Sequence, residues 1–430
     1  MKKIPAFSAI FLLSFCAHAL DLASAASDFA DSLGLSISSN EGSTSFRSLL
    51  IPSGGRAESL GTACTALWDD VLFFDYNPAV SSVLEETQVA IWHNAWIADS
   101  ALETLAASAR SGNLGYGAQV KCFYVPFSEY DLYGERVNGS YYSETSLALN
   151  LSYNFFAGYY FKGLAVGANA RAAWRNFPDY ADNKTGEIIS GSGLSQSALA
   201  LMGDFGALLR FNVLKKFQDR NPNLSVGLSV NSLGAALTGF SKKIELDDAL
   251  PTRVSFGVSW RFLPPILFCA EFRKELNILS FSESGGWSVG AGLEISATKF
   301  FCVDTGFLIQ GASPRVSLGG SVELARAKIC ACYTFDLTSS ANPVNHMSLS
   351  ARLRLGDRGR AKIRELVDMY YVSGLKLYAK GNLEEAVHQW DLALALDRHF
   401  DPALEAKEAA LRFAKAKENI LDMQKLDVSR

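Results

Sequence analysis

Between Arg253 and Phe262, polar or small residues (Arg253, Ser255, Gly257, Ser259, Arg261) interleave with apolar ones (Val254, Phe256, Val258, Trp260, Phe262). Successive side chains of a strand point to opposite faces, so this stretch has one polar face and one apolar face. The alternation recurs along most of the chain. Leu114, Tyr116, Ala118 and Val120 oppose Gly115, Gly117, Gln119 and Lys121, and Leu147, Leu149 and Leu151 oppose Ala148, Asn150 and Ser152. Trp287, Val289, Leu293 and Ile295 oppose Ser288, Gly290, Gly292 and Glu294. Roughly fourteen such segments lie between Thr87 and Leu355, most of about the 9–11 residues that a tilted membrane-crossing strand needs. The pattern predicts an all-β transmembrane barrel of about fourteen antiparallel strands over residues 87–355. A soluble sandwich would show the same alternation with its apolar face on a core, so the pattern by itself leaves both open.

The connections help to choose. Long ones are expected at Pro126 to Ser140, Pro178 to Ser197, Ala235 to Leu250, Asn277 to Gly285 and Asp336 to Asn345. Tight ones are expected at Ser111-Gly112, Ala157 to Phe161, Pro264-Pro265 and Ala325-Arg326. Long and short mostly alternate, as in barrels with long external loops and short periplasmic turns. The exceptions are Val213 to Pro222, long where it should be short, and Ala312 to Pro314, short where it should be long. An even strand count brings both ends of the barrel to one side. Trp92, Trp96, Trp260, Trp287 and Phe262 fall toward segment ends, where they are expected either in interfacial aromatic girdles or as ordinary core aromatics.

The flanks differ from the barrel. Lys2 and Lys3 precede an apolar run from Ile4 through Leu20 with small-residue sites near Ala19 and Ala25, which reads as a signal peptide over residues 1–25. Residues 26–86 are irregular, include Gly54-Gly55-Arg56, Asp69-Asp70 and Asp75-Tyr76-Asn77-Pro78-Ala79, and have the right length to fold into a lumen as a hatch. Pro78 removes a backbone donor and keeps Asn77 out of helical geometry, so a bend is expected there. After Gly356 the period becomes helical. Asn382 with Glu385 suggests a capping box, Gly381 a helix end, and Asp401-Pro402 a helix start. Tyr370, Gly374, Gly381, Ala386, Trp390 and Ala393 fall at spacings that resemble one tetratricopeptide repeat, making residues 356–430 a small helical domain on the periplasmic side. One such repeat is too short to form a solenoid, so this tail is expected to dock a partner or cap the barrel mouth.

Composition adds limits. The chain has 430 residues, 49% hydrophobic and 20% charged, and a net charge of −4. A slightly acidic balance gives no reason to expect nucleic acid as a partner. Six cysteines remain beyond Cys16 with no small-domain disulfide spacing, and Cys330 and Cys332 share one strand face, so isolated thiols are expected. No nucleophile elbow, metal-binding helix motif or phosphate loop appears, and neither an enzyme activity, a cofactor nor a metal site is expected.

The order of signal peptide, glycine-rich lead, Asn77-Pro78-Ala79 and barrel strands resembles the long-chain fatty-acid transporter (FadL) superfamily of outer-membrane proteins. The tail resembles a spirochaetal branch that carries a tetratricopeptide-like extension. The resemblance covers roughly Ser53 to Leu355, and its sharpest motif is the Asn-Pro-Ala triplet with the preceding Leu60 to Asp70 stretch. It implies a fourteen-stranded outer-membrane barrel closed by an N-terminal hatch containing Asn77, Pro78 and Ala79. It also implies passive import of a hydrophobic small molecule, a long-chain fatty acid above all, through surroundings of outer-membrane lipid.

Charged residues share the polar strand face: Arg171, Arg175, Arg253, Arg261, Arg273, Glu271, Glu294, Glu323, Arg352 and Arg354. Unpaired charge away from water is costly, so inside a barrel these groups must pair with one another, with the hatch or with water. They are expected to form a charge ladder that holds the hatch. Arg171, Arg175, Arg253, Arg261, Arg273 and Glu294 are also the candidates for contact with a ligand's anionic head. Two other functions suit the same sequence: a secretion or assembly barrel working through a periplasmic protein bound to the helical tail, and a general porin whose Gly- and Ser-rich lumen passes polar nutrients.

Overall fold

A computed structural model describes residues 45–428 except 131–132, 181, 183–186, 214–220, 239, 241–244, 247–248, 279–283, 312 and 338–344. The expected signal peptide and residues 26–44 of the expected hatch lie outside the described residues. The strands are β1 (Thr87–Ala95), β2 (Ala101–Ser111), β3 (Leu114–Tyr130), β4 (Arg136–Phe155), β5 (Leu164–Asn176), β6 (Ala198–Phe211) and β7 (Leu224–Thr238). They continue with β8 (Glu245–Leu246), β9 (Thr252–Leu263), β10 (Ile266–Leu276), β11 (Trp287–Ser296), β12 (Phe301–Gln310), β13 (Ser313–Glu323), β14 (Ala327–Asp336) and β15 (His346–Gly356). Each long strand pairs with its sequence neighbours, β7 pairs with β9, and β15 returns to β1. The short β8 only lengthens a hairpin on β7. Fourteen long strands therefore close into one antiparallel barrel, which removes every sheet edge.

Alternation fixes the faces. Leu149 is 58% exposed and Phe205 52% exposed on the outer surface, whereas Asn150 and Asp204 point inward and are buried. A one-residue slip would turn the charged set outward, so the registers are strongly specified. One register break occurs between β6 and β7 around Gly203/Phe205, where Asp204 of β6 stands opposite two residues, Asn231 and Ser232, of the bulged β7. The interior is filled by residues 45–86, which run in short turns: Arg47–Leu50, the single helical turn α1 (Arg56–Ser59), Val71–Asp75 and Pro78–Ser82. Their Leu60, Val71, Leu72, Phe73 and Phe74 are buried with inward Ala90, Trp92, Ala106 and Leu208. The main hydrophobic core of the barrel thus lies inside it and is contributed largely by this segment.

Two local expectations are corrected, and the choice between girdle and core is decided for two tryptophans. Pro126 to Ser140 is not a long loop: β3 and β4 stay paired through Val125↔Tyr142 and Phe127↔Ser140, because the alternating aromatics of both arms extend the ladder. Trp92 and Trp96 are not girdle residues. Trp92 shares the inward parity of Ala90 and Asn94 and is buried, and Trp96 packs its ring 4.3 Å from that of His346. Asn382 and Glu385 do not form a capping box; the two side chains bond each other at 3.3 Å, and Asn382 makes no side-chain cap. All six described cysteines are free thiols.

A second compact unit comprises residues 155–164 and 356–430. It holds α2 (Arg360–Ala379), α3 (Leu383–Leu396) and α4 (Asp401–Val428). Gly381, at φ 86°, makes the turn from α2 to α3 that a side chain would strain. Trp390 on α3 is buried and donates its indole N–H to the Tyr371 carbonyl at 3.3 Å. The ring of Tyr159 lies edge-on to Phe400 at 5.1 Å. No described helix is long and apolar enough to cross a membrane.

Replacing Trp390 with Ala should cost this unit roughly 3–5 kcal/mol, the usual cost of emptying a large aromatic site. Far-UV circular dichroism of the full chain should then show the helical signal melting at lower temperature with the β signal unmoved; an unchanged helical transition would contradict the packing described.

Candidate functional site in the barrel lumen

Close contact between residues 45–86 and the wall begins with missing side chains. A Cβ on Gly206 of β6 would collide with Asn77 Oδ1, and one on Gly306 of β12 with the Gly61 backbone nitrogen. Glycine at these inward positions lets backbone meet backbone on opposite sides of the lumen. The glycine-rich inner face that suggested an open pore is therefore occupied.

Asn77-Pro78-Ala79 is one of the fixed points. Asn77 is extended (φ −141°, ψ 108°), and its Oδ1 accepts the Ala79 N–H while Pro78 opens the turn Pro78–Ser82. Its Nδ2 donates to the carbonyls of Thr65 (2.8 Å) and of Ala207 on β6 (3.0 Å). Asn150 of β4 donates to the Pro78 carbonyl at 2.9 Å. Asparagine suits the place because it supplies donors and an acceptor on one short, fully buried side chain.

Ion pairs fix the rest. Asp75 receives Lys121 Nζ of β3 at 2.8 Å and Arg171 Nη2 of β5 at 2.7 Å. The same Arg171 nitrogen reaches Asp204 at 2.8 Å, and Asp204 also accepts from Asn169 (2.9 Å) and from the Ser232 N–H (2.7 Å), so the bulge carboxylate is saturated. Burial alone would raise the Asp75 carboxyl, but Lys121 and Arg171 beside it outweigh burial and hold it well below the ordinary 3.8. Arg56 Nε meets Glu294 of β11 at 2.6 Å, and its Nη1 meets Asp69 at 2.8 Å. Arg352 of β15 holds Asp70 at 2.8 Å. Glu58 accepts from Ser348 at 2.7 Å and bonds His346. On β10, Glu271 accepts the Thr65 N–H (2.8 Å) and Arg273 Nε (2.6 Å), and Arg273 also donates to Thr62 Oγ1 (2.6 Å).

The segment leaves a cavity on each side of itself. One, of about 220 Å³, lies toward the edge where β9 and β13 begin and is bordered by Tyr76, Trp96, Arg253, Arg273 and Arg315 among others. The other, of about 360 Å³, lies toward the edge where β1 begins and is bordered by Trp68, Arg261, Glu294, Lys328, Arg352 and Arg354 among others. Thr62 and Glu58 border the first and Leu67 and Asp69 the second, so residues 45–86 separate the two.

The residues nominated from sequence do not form one site. Arg253 and Arg273 border the first cavity, Arg261 and Glu294 the second. Arg171, bound to Asp75, borders neither of the two. Arg175 donates to Ser45 Oγ at 2.7 Å and sits 5.2 Å over the Phe46 ring. Sequence reasoning missed Arg56, Glu58, Asp70 and Asp75 as the partners of wall groups, Asp69 as the partner of Arg56, and His346, Asp204, Lys121 and Arg315 as wall groups. The acids in an otherwise apolar run between Leu67 and Val80 were the signal that points to them.

Asp75→Asn removes the carboxylate paired with Lys121 and one of the two paired with Arg171, and should cost about 3–5 kcal/mol in urea unfolding of the folded barrel. A carboxyl depressed in the folded state stabilises above the unfolded value near 3.8 and loses that contribution as pH falls through the lower folded value. Acidification from about pH 5 to about pH 2 should therefore destabilise the parent chain more than Asp75→Asn. Equal pH dependence in both would contradict the pairing.

Residues 22–358 match the uncharacterised protein family UPF0164. A UPF0164 protein of Treponema pallidum (strain Nichols) is 30% identical over 433 residues, covering 96% of this chain and 94% of the relative. A second from the same organism is 24% identical, covering 88% and 78%. Among solved structures, the CymD monoaromatic hydrocarbon channel shows 13% identity over 70% of this chain and 97% of its own, with a TM-score of 0.47. A Pseudomonas aeruginosa FadL homologue shows 12% identity over 71% and 99%, with a TM-score of 0.44. Those two scores are too low to carry a conclusion. Family profile and full-length relative agree, and the chain belongs to the UPF0164 family.

Proposed function

We propose that this protein is an outer-membrane barrel that imports a hydrophobic small molecule passively, with residues 45–86 as the hatch between an external and a periplasmic cavity. A closed ring of fourteen strands with an apolar outer face and a charged inner one is suited to hydrocarbon outside and water inside. The observation that carries the proposal is the seating of residues 45–86 across the lumen with a cavity on either side. Asn77, Pro78 and Ala79 are the hatch residues in this reading, because Asn77 and the Pro78 carbonyl hydrogen-bond the wall at β6 and β4 and Ala79 closes the turn on Asn77. A long-chain fatty acid is the leading ligand, on the strength of the resemblance in segment order to the FadL superfamily. The helical unit belongs in the periplasm, where a tetratricopeptide-like role would give it a protein partner.

The largely polar and charged borders of both cavities favour a second reading, a porin for polar solutes. Mass spectrometry of protein refolded in detergent and exposed to cell lipids separates the two. Import of a hydrophobic molecule predicts near-stoichiometric recovery of one lipid class, long-chain fatty acid first, and little ion conductance across planar bilayers. Open-channel conductance with no retained lipid would overturn it in favour of the porin.

A further inference from the structure

The external cavity is bordered by two cations, Arg253 and Arg315, that form no ion pair among the described residues. Arg253, near the start of β9, has its Nε buried with no hydrogen-bond partner among the described residues. Its guanidinium carbon lies 6.0 Å from the centre of the Tyr76 ring, and it forms no ion pair among those residues. Arg315, near the start of β13, stands 5.7 Å over the Trp96 ring, also without an ion pair among the described residues. Both border the same space of about 220 Å³.

The neighbouring charges are already engaged. Arg273 is held by Glu271 and Thr62, and Glu58 by His346 and Ser348. Glu275 lies 3.9 Å from Arg47 and accepts from Gln310 at 3.2 Å. In the periplasmic cavity, by contrast, Arg261, Arg352 and Arg354 each face a carboxylate: Glu294 at 3.9 Å, Asp70 at 2.8 Å and Glu323 at 2.8 Å. The imbalance is specific to one end of the lumen.

A guanidinium lodged against a ring keeps its in-plane N–H donors, and the fork of donors matches a carboxylate or a phosphate. Holding such a group away from bulk water without an anion is unfavourable, so an anion from outside gains what the fold does not supply. The hydroxyls of Ser288, Ser317 and Thr334 border the same space and offer further donors. At about 220 Å³ the cavity is smaller than ordinary sites for drug-sized ligands, which run from roughly 300 to 1,000 Å³. It admits a compact anion or the head of an amphiphile, not the length of a long acyl chain.

We infer that the external cavity is an anion-binding site whose ligand presents a carboxylate or phosphate group to Arg253 and Arg315. The inference rests on the reading of the barrel as an entry route and names the charged group that first lodges in it. Isothermal titration of the full chain in detergent tests it with four probes: inorganic phosphate, succinate, octanoate and octan-1-ol. At least one anion should bind in a salt-sensitive way while octan-1-ol binds at least about tenfold more weakly than octanoate, the ratio expected for one charge-assisted contact. Phosphate or succinate binding identifies a free small anion as the source, and octanoate binding alone identifies an amphiphile head. Arg253→Met and Arg315→Met should each weaken anion binding about tenfold or more, and Arg253→Lys should restore part of it. Arg315→Met, on β13 rather than β9, keeps the test valid if Arg253→Met does not fold. Binding of octan-1-ol as tight as that of the anions, no anion binding, or unchanged affinity in the folded variants would overturn the inference. Failure to recover a hydrophobic molecule from cell lipids would count against the import reading alone and leave an anion site measurable.

Discussion

Pairing between the charges of residues 45–86 and those on the inner face of the strands is the constraint on which the structure depends. Closing a strand set that carries Lys121, Arg171, Glu271, Arg273, Glu294 and Arg352 on one face concentrates charge in a narrow space. Such charge is tolerable only if it is paired and hydrogen-bonded. Asp75, Arg56, Asp70 and Glu58 answer it from a single segment. The fill is apolar at its centre and ionic at its margins, the inverse of the barrel's own outer surface.

Sterics and electrostatics cooperate here. Inward glycines such as Gly206 and Gly306 let the segment come close enough for Asn77 and the Leu60-Gly61 backbone to meet the wall. That same closeness places carboxylate and guanidinium at 2.6–2.8 Å. Any movement of the segment would break several of these contacts together. The bulge at Asp204 adds a rigid anchor beside Asp75, because it gathers three donors on one fully buried carboxylate.

Much of the barrel was legible in the sequence because a period of two is a local property. The strand set between Thr87 and Gly356, the inward parity of Arg171, Arg253, Arg273 and Glu294, and the change to helical spacing after Gly356 all follow from side-chain direction alone. The same parity places Trp92 with Asn94 on the inner face, and segment-end position misled where parity did not. Which charge meets which depends on neighbours brought together across hundreds of residues: Arg56 with Glu294, or Glu58 with Ser348. Spacing carries no record of those pairs. Asn382 and Glu385 illustrate the opposite error, a local motif whose two side chains satisfied each other instead of the helix backbone.

Hydrogen–deuterium exchange of residues 56–84 in the full chain reconstituted in lipid tests the account most directly. Amides such as those of Thr65 and Val71, bonded to Glu271 and Gln88, should exchange as slowly as those of the barrel strands. Exchange of this segment at the rate of an unstructured chain, with the strands still protected, would contradict its seating by ion pairs in the lumen.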